Sequence, residues 1–499
     1  MELQFHKQIY PCLQRIKREV QNQEQTQEVR LGDGMPDIGR VLGAWGQVLL
    51  RGKEWRSGGM GISGGVMAWV LYAPEDGGQV QCVETWIPFQ MKWDFPDTER
   101  DGIISAICRL RSVDARSTSA RKMIVRVCVG VLGEALMPGE MARYTPDELP
   151  EDVQLLKKNY PLYLPKEAGE KPFVIEEELT LPGSFAPMIK LMRYELHTEL
   201  IDRKVIGSKV VFRGAGILHI LYQAEDGGLF SWDFELPFSQ YSELDNDFEQ
   251  DAQSRVWISV TGLELDKDED GKLNLKASLT AQYMICDRTV IEVVEDAYSP
   301  HRSVTARVEA QQVPSILEET VQTIHAEQAV EADGNRVADV AFYPDHPRLL
   351  RSDQGVEAEF PAQFQMIYYD KDGVLQSTAP RWEGSWSLSA GENTTMEVVC
   401  GAAGKPQAAF SGGRAELRGE ILMHAAASAQ QGIPMITGLE LGELTQADPN
   451  RPSLILCRAG NDQLWNIAKR TGSTVEAIRE ANHLTDEPSP RQMLLIPIS

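Results

Sequence analysis

Few residues of this 499-residue chain stand at spacings that could do chemistry, and each such group has a structural explanation beside the chemical one. Gly59-Met60-Gly61-Ile62-Ser63-Gly64 matches G-x-G-x-x-G, a dinucleotide loop only where a strand leads in and a helix leads out. Here the β-rich run Val66–Tyr72 follows, so the glycines are expected in a hairpin or bulge. Asp266, Asp268, Glu269 and Asp270 precede Gly271 and could offer carboxylates to a cation. A calcium loop would need a spaced Glu and flanking helices, whereas strand patterns flank this run and predict a solvated hairpin. The eight histidines (His6, His197, His219, His301, His325, His346, His424, His483) form no H-E-x-x-H or dense ligand cluster. His219 lies in a strand pattern and reads as a structural side chain. The seven cysteines are scattered without a C-x-x-C, which argues against a disulfide framework and a zinc site. There is no P-loop pattern, and no Ser or Cys sits in a nucleophile elbow. The expectation is a chain with no catalytic residue, no metal and no cofactor.

The elements that carry these residues are set by composition and periodicity. A net charge of -24 repels phosphate backbones and anionic lipid, so a nucleic-acid role is not expected. No run reaches the ~18 apolar residues of a membrane span. The first residues, Met1-Glu2-Leu3-Gln4-Phe5-His6-Lys7, lack a basic segment followed by an apolar one, so no secretory signal is read and a cytoplasmic protein is expected.

The long acidic part repeats itself. Leu71-Tyr72-Ala73-Pro74-Glu75-Asp76-Gly77-Gly78 recurs as Leu221-Tyr222-Gln223-Ala224-Glu225-Asp226-Gly227-Gly228, and Trp86-Ile87-Pro88-Phe89-Gln90 as Glu235-Leu236-Pro237-Phe238-Ser239. Upstream, Glu28–Leu31 matches Glu178–Leu181, and Pro36–Leu42 matches Pro187–Met192. Ile367-Tyr368-Tyr369-Asp370-Lys371-Asp372-Gly373 marks a diverged third copy; it lacks the Pro-Phe element, and Trp382 and Trp386 stand in that region. Runs such as Leu273–Leu279 and Ala415–Ile421 alternate apolar and polar residues, as half-buried strands do. The acidic-Gly steps read as hairpin turns. Pro36 at a first helical position could open one short helix. The chain is therefore expected to be mainly β, with about three tandem β-sandwich-like repeats over 1–165, 166–310 and 311–447. A short linker, 448–453, leads to a small α+β domain over 454–499.

The closing segment reads as a βααβ module. Leu464, Ile467 and Ala468 share one helix face. Ser473 with Glu476 fits a capping box for a second helix. Asn482 stands where that helix stops and tolerates the left-handed conformation. Leu456, Trp465, Ile467, Ala468, Val475, Ile478, Leu495 and Ile496 are the expected core. The set Asp462-Gln463-Leu464, Ile467-Ala468, Asn482-His483-Leu484 and Leu494-Leu495-Ile496-Pro497 resembles a LysM domain. That resemblance implies a groove for a partner or for N-acetylglucosamine chains, carried here by Gly460, Asn461, Asp462, Gln463, Leu464, Asn482, His483, Leu484 and Met493. Two departures, one extra residue in Gly460-Asn461-Asp462 and Gln463 in place of Thr, fall in the first loop of that groove. Glycan binding is therefore disfavoured.

Acidic repeats with this Leu-Tyr…Glu-Asp-Gly-Gly…Pro-Phe signature look like SPOCS domains. Such repeats followed by a LysM domain resemble SipL-type spore coat morphogenetic proteins. The resemblance implies a non-catalytic scaffold on the mother-cell side of the forespore. Its LysM domain would dock onto a coat morphogenetic ATPase, with other coat proteins and self-association as further contacts. The alternative is a protein that binds peptidoglycan or N-acetylglucosamine oligomers.

Overall fold

The computed structural model describes residues 1–98, 100–269, 271–352, 355–391, 394–445 and 452–498. After β1 (Glu2–Leu3), the first unit comprises β2 (Phe5–Arg30), β3 (Ile38–Arg56), β4 (Gly59–Pro74), β5 (Gln81–Asp94), β6 (Ile103–Ser119) and β7 (Lys122–Pro146). These form two antiparallel sheets, ordered β3-β4-β5 and β2-β7-β6, packed face to face over one core. The central strand β7 runs almost continuously apolar from Met123 to Leu136 and becomes buried on both faces, because its outer side meets the neighbouring units. The edge strand β2 is rich in Gln, Glu, Lys and Arg, which solvates its free edge.

The second unit repeats this plan with β8 (Gln154–Leu179), β9 (Met188–Ala224), β10 (Leu229–Phe248), β11 (Gln253–Lys267) and β12 (Leu273–Tyr298). Its sheets are β9 with β10 and β11-β12-β8. The 37-residue β9 does the work of β3 and β4 together, with Gly207 at φ 57° between its arms. The third unit has β13 (Val304–Glu331), β14 (Gly334–Pro344), β15 (Arg348–Ser352), β16 (Gly355–Asp370), β17 (Leu375–Thr378), β18 (Arg381–Leu388), β19 (Thr394–Ser411) and β20 (Arg414–Leu441). Here β20 lies between β13 and β19, as β7 lies between β2 and β6.

Even the irregularities repeat. The β6–β7 register slips between Leu110 and Ser112, and the β11–β12 register between Val260 and Gly262. The three acidic turns place Gly77, Gly227 and Gly373 at φ 74°, 81° and 77°, where a side chain would be strained. In the first two the Asp two residues before the second glycine (Asp76, Asp226) accepts from its backbone N–H at 3.0 and 2.9 Å.

The Pro-Phe element missing from the third copy has moved rather than vanished. Gly64 pairs across the sheet with Phe89, and Gly214 with Phe238. In the third unit the aromatic ring is on the other strand, as Phe360 opposite Gly384, with Pro361 beside it. Each hairpin thus keeps one large and one absent side chain at the same cross-strand position.

Two sequence expectations need correction, the helix at Pro36 and the unit boundaries. No helix forms at Pro36: β3 begins at Ile38, and the Pro36 carbonyl accepts from the Tyr72 hydroxyl at 2.9 Å instead of starting a helix. Gly59–Gly64 lies in a hairpin, as expected: it opens β4 directly after the turn at Gly58, Arg56 pairs with Gly59, and the β3–β4 register slips between Leu50 and Gly52, opposite Gly64 and Ser63. The boundaries at 165 and 310 fall inside β8 and β13. Pro161, Pro165 and Pro172 sit on β8, a sheet edge, where a missing N–H costs little. The acidic run does form a turn, with Gly271 at φ 84° donating to Asp268 at 3.3 Å; Asp270 lies outside the described residues. So do residues 448–451 of the expected linker.

The three units close on one another. Long ribbons β2/β7, β8/β12 and β13/β20 project from the sandwiches and bury Met141, Leu162, Ile291, Val313 and Ile433 in a shared core. At the far end β1 adds to β20, with the Met1 amino group donating to the Leu441 carbonyl at 2.7 Å. Neither helix of the described residues is long and apolar enough to cross a membrane.

Candidate functional site

The closing module folds β21 (Leu454–Arg458), α1 (Leu464–Thr471), α2 (Val475–Asn482) and β22 (Met493–Pro497) around Leu464, Ile467, Ala468, Ile478, Leu494 and Ile496. The period of two in its two-stranded sheet decides which apolar residues go inside. Ile455 opposes Ile496 and Cys457 opposes Leu494, all facing the helices. Leu456 opposes Leu495 on the other face, so these two expected core residues are 62% and 40% exposed. Leu454 and Met493, each 51% exposed, extend the same apolar face.

The helix caps differ from expectation by one residue each. Thr474, not Ser473, caps α2 by accepting from Ala477 at 3.1 Å. Ser473 is buried and its hydroxyl donates to the Pro497 carbonyl, tying the helix turn to β22. His483, not Asn482, takes the left-handed conformation at φ 53°. Asn482 remains helical because its side chain locks onto β22: it donates to the Leu495 carbonyl at 2.6 Å and accepts from the Leu495 N–H at 2.7 Å.

Two loops frame the expected groove, 459–463 and 483–492. They are bound together by Ala459 N–H donating to Gln492 at 2.9 Å, Gly460 N–H to Pro490 at 3.1 Å, and Leu464 N–H to the Glu487 carboxylate at 2.9 Å. Glu487 thus satisfies the free N-terminal N–H of α1, which offers no capping side chain of its own. Gly460 takes φ 63° to turn the chain. Asn461, Asp462, Gln463 and His483 are exposed on these loops, and Asp462 pairs with Arg470 at 2.9 Å. Leu464 and Leu484 belong instead to the core side, and Met493 to the outer sheet face. The expected groove set is therefore split three ways: loop surface, core and sheet face.

Trp465 is buried, but not within the module alone. Its ring meets Tyr298 edge-on at 4.8 Å, and its Nε1 donates to Asp296 at 2.8 Å. Lys469 donates to the same carboxylate at 2.8 Å, and the Tyr298 hydroxyl donates to the Ser473 carbonyl at 2.9 Å. Burial would raise the Asp296 pKa, but Lys469 and Trp465 outweigh it and hold the carboxyl below its usual range. The module is thus anchored to the end of β12 in the second unit, with its loops and outer sheet face turned outward. Neither partner residue was singled out from sequence, since Asp296 and Trp465 are 169 positions apart.

A second concentration of chemistry-bearing residues joins the units. Arg193 and His219 from β9 converge on Asp339 of β14, with His219 at 2.7 Å from Asp339 and 2.5 Å from Asp233. Glu195 pairs with Arg193 at 3.2 Å and accepts from the Tyr343 hydroxyl. Burial alone would lower the His219 pKa, yet Asp339 and Asp233 push it up to about 9. Arg193, Glu195 and Asp339 are buried while the His219 and Asp233 side chains keep 16% and 22% exposure, and the cluster serves as an ionic joint between units. His346 is the opposite case: burial, then Arg109, hold it down to about 3, and its Nε2 lies 3.1 Å from the Ile107 carbonyl. Among the described residues no group of three or more His, Cys, Asp or Glu is arranged to hold a metal ion.

This geometry is a compact α+β module of two short helices on a two-stranded sheet with paired exposed loops. Residues 461–497 match the LysM domain family, so the chain carries a C-terminal LysM domain. No curated protein and no solved structure matches the chain.

Proposed function

We propose that the protein is a non-catalytic scaffold of the SipL type, built from SPOCS-like repeats. Its LysM domain docks onto a morphogenetic ATPase that coats the forespore from the mother-cell cytoplasm. The observation that carries this reading is the outer sheet face of Leu454, Leu456, Met493 and Leu495, apolar and exposed beside the two loops. Contiguous exposed apolar surface marks a protein contact more often than a site for a polar sugar. The loops 459–463 and 483–492 contain no Trp, Tyr or Phe, and the domain's one Trp is spent on Tyr298. The rigid anchor on β12 suits a scaffold, because it fixes the direction in which the body presents that face. The match to the LysM family supports the second reading, a peptidoglycan or N-acetylglucosamine oligomer bound between the same loops.

Binding of the full chain to the purified ATPase, and separately to chitotetraose, distinguishes the two. Leu456→Lys with Leu495→Glu places an opposite-charge cross-strand pair on an exposed face, so folding is preserved. The variant is expected to weaken ATPase binding by about tenfold or more, as loss of a central apolar anchor does. Saturable chitotetraose binding, insensitive to this double variant and accompanied by no ATPase binding, would establish the glycan reading instead.

A further inference from the structure

The two strands of the closing module have unlike free edges. In an antiparallel pair, opposed residues alternate between those that exchange backbone hydrogen bonds and those that turn their N–H and C=O away. The Ile498 N–H donates to the Ser453 carbonyl at 3.1 Å, and the Ala459 N–H to the Gln492 carbonyl at 2.9 Å. Between these bonded pairs, Ile455 with Ile496 and Cys457 with Leu494 are bonded in turn. Leu454, Leu456 and Arg458 therefore direct their backbone groups outward from β21, and Met493 and Leu495 theirs outward from β22.

On β22 the edge is closed. The Asn482 amide takes both outward groups of Leu495, at 2.6 and 2.7 Å, as a third strand would. On β21 the edge is open. Among the described residues β21 pairs with β22 alone, and no backbone group meets that of Leu454 or Leu456. An unpaired edge is a template for another strand. With one edge closed and one open, the sheet can take one added strand and cannot grow in both directions.

The side chains along the open edge are apolar and end in a cation. Leu454 and Leu456 are exposed, and Arg458 continues their row at the same period of two. The module's Lys469, Arg470 and Arg479 pair with Asp296, Asp462 and Glu487. Arg458 and Arg491, both exposed and both at the Met493 end of this face, have no carboxylate partner among the described residues. In a chain of net charge -24, two unpaired cations thus stand together at the end of an apolar edge.

We propose that β21 accepts an extended segment of the partner as a third strand. The segment carries apolar side chains beside Leu454 and Leu456 and a carboxylate that meets Arg458. This rests on the docking role given to the LysM domain above and names how the docking is made. Backbone bonds along the edge supply affinity, and alternate side chains supply selectivity. A second copy of this chain is a poorer occupant. Pairing β21 with β21 about a two-fold axis at Leu456 sets Arg458 against Leu454 and leaves both arginines without a counter-charge.

Binding of the full chain to the purified ATPase, read by amide exchange and by three variants, tests this. In the complex, exchange is expected to slow at Leu454 and Leu456 and to change little at Ile455 and Cys457, whose N–H groups are already in the ladder. Leu456→Thr keeps the outward donor, whereas Leu456→Pro removes it without touching a β21–β22 bond, as an edge strand tolerates. The proline variant should bind about tenfold more weakly than the threonine variant, the scale of one lost hydrogen bond. Arg458→Glu should weaken binding by about tenfold or more. Should Leu456→Pro not fold, the exchange pattern of the native complex and Arg458→Glu decide. ATPase binding with unchanged exchange at Leu454 and Leu456, or with Leu456→Pro equal to Leu456→Thr, overturns the edge and leaves the scaffold reading standing. Slowing of the same amides in the chain alone as its concentration rises assigns the edge to a second copy and overturns the proposal. No ATPase binding by the native chain overturns both.

Discussion

At the residue scale, two histidines show how the same side chain is tuned in opposite directions by its neighbours. His219 is held charged by Asp339 and Asp233, with its pKa raised from 6.5 to about 9. Its stabilising contribution is therefore complete below pH 6.5 and disappears as pH rises through about 9. His346 is held neutral by burial and Arg109, with its pKa lowered to about 3. Its contribution is complete above pH 6.5 and is lost as pH falls toward 3. Thermal melting against pH should accordingly peak near pH 6.5, falling toward about 9 on the alkaline side and toward about 3 on the acidic side. His219→Gln is expected to flatten the alkaline limb and His346→Gln the acidic limb. An unchanged alkaline limb in His219→Gln would mean that the ionic joint between the second and third units is worth little. At this scale the sequence showed little: His219 was read as structural, correctly, but its partner Asp339 is 120 positions away and belongs to another unit.

At the element scale, the hairpins depend on one cross-strand pair of large and absent side chains. A Cβ on Gly64 would collide with the Leu49 carbonyl and the Phe89 ring, and one on Gly214 with the Glu199 carbonyl and Phe238. Gly64→Val is expected to destabilise the first unit by about 2–3 kcal/mol, as overpacking of a filled core does. Paired with Phe89→Ala it should recover part of that loss, since the ring is one of the two obstacles. Urea melts of the single and double variants measure the coupling. A double variant no more stable than Gly64→Val alone would place the whole clash on the Leu49 backbone. The first and last glycines of the G-x-G-x-x-G spelling, Gly59 and Gly64, are thus explained by packing, whereas a Cβ on Gly61 would meet only ordinary contacts. The Gly64 and Phe89 motifs were legible in the first two copies because duplication preserved them. The third was not, because Phe360 and Gly384 exchanged roles, and pairing two strands equates what a linear comparison keeps apart.

At the scale of the whole molecule, the closing domain is held at one end of a ring of three sandwiches. It rests on the second unit although it follows the third in sequence. Tyr298→Ala with Asp296→Ala removes the aromatic contact and the carboxylate shared by Trp465 and Lys469. The expected outcome is an undocked domain that still folds. Faster amide exchange should appear at the β12 end and around Trp465, while the interiors of the sandwiches stay protected. Exchange unchanged at Trp465 would show that the remaining apolar contacts suffice to hold the domain. Loss of rigid presentation should weaken binding to an extended assembly more than binding to a single soluble partner, because only the former requires a fixed direction.

Alternating apolar residues, acidic-Gly turns and the duplicated blocks were enough to read a mainly β chain of repeats ending in a two-helix module. These are local signals: strand period, turn conformation and helix amphipathicity act over a few residues, and duplication copies them intact. Which face of an alternating strand becomes core is a different matter. Leu456 and Leu495 look as apolar as Ile455 and Ile496, and only the sheet register and the side taken by the helices sent the first pair outward. The unit boundary expected at 165 falls inside β8, whose prolines are tolerated because the strand lies at a sheet edge. The ring closure, the buried joint at Asp339 and the docking of Trp465 onto Tyr298 all join residues more than 90 positions apart. Burial removes water as the competing partner, so charges and rings in these places take their pKa, orientation and role from whichever chain segment the fold brings against them.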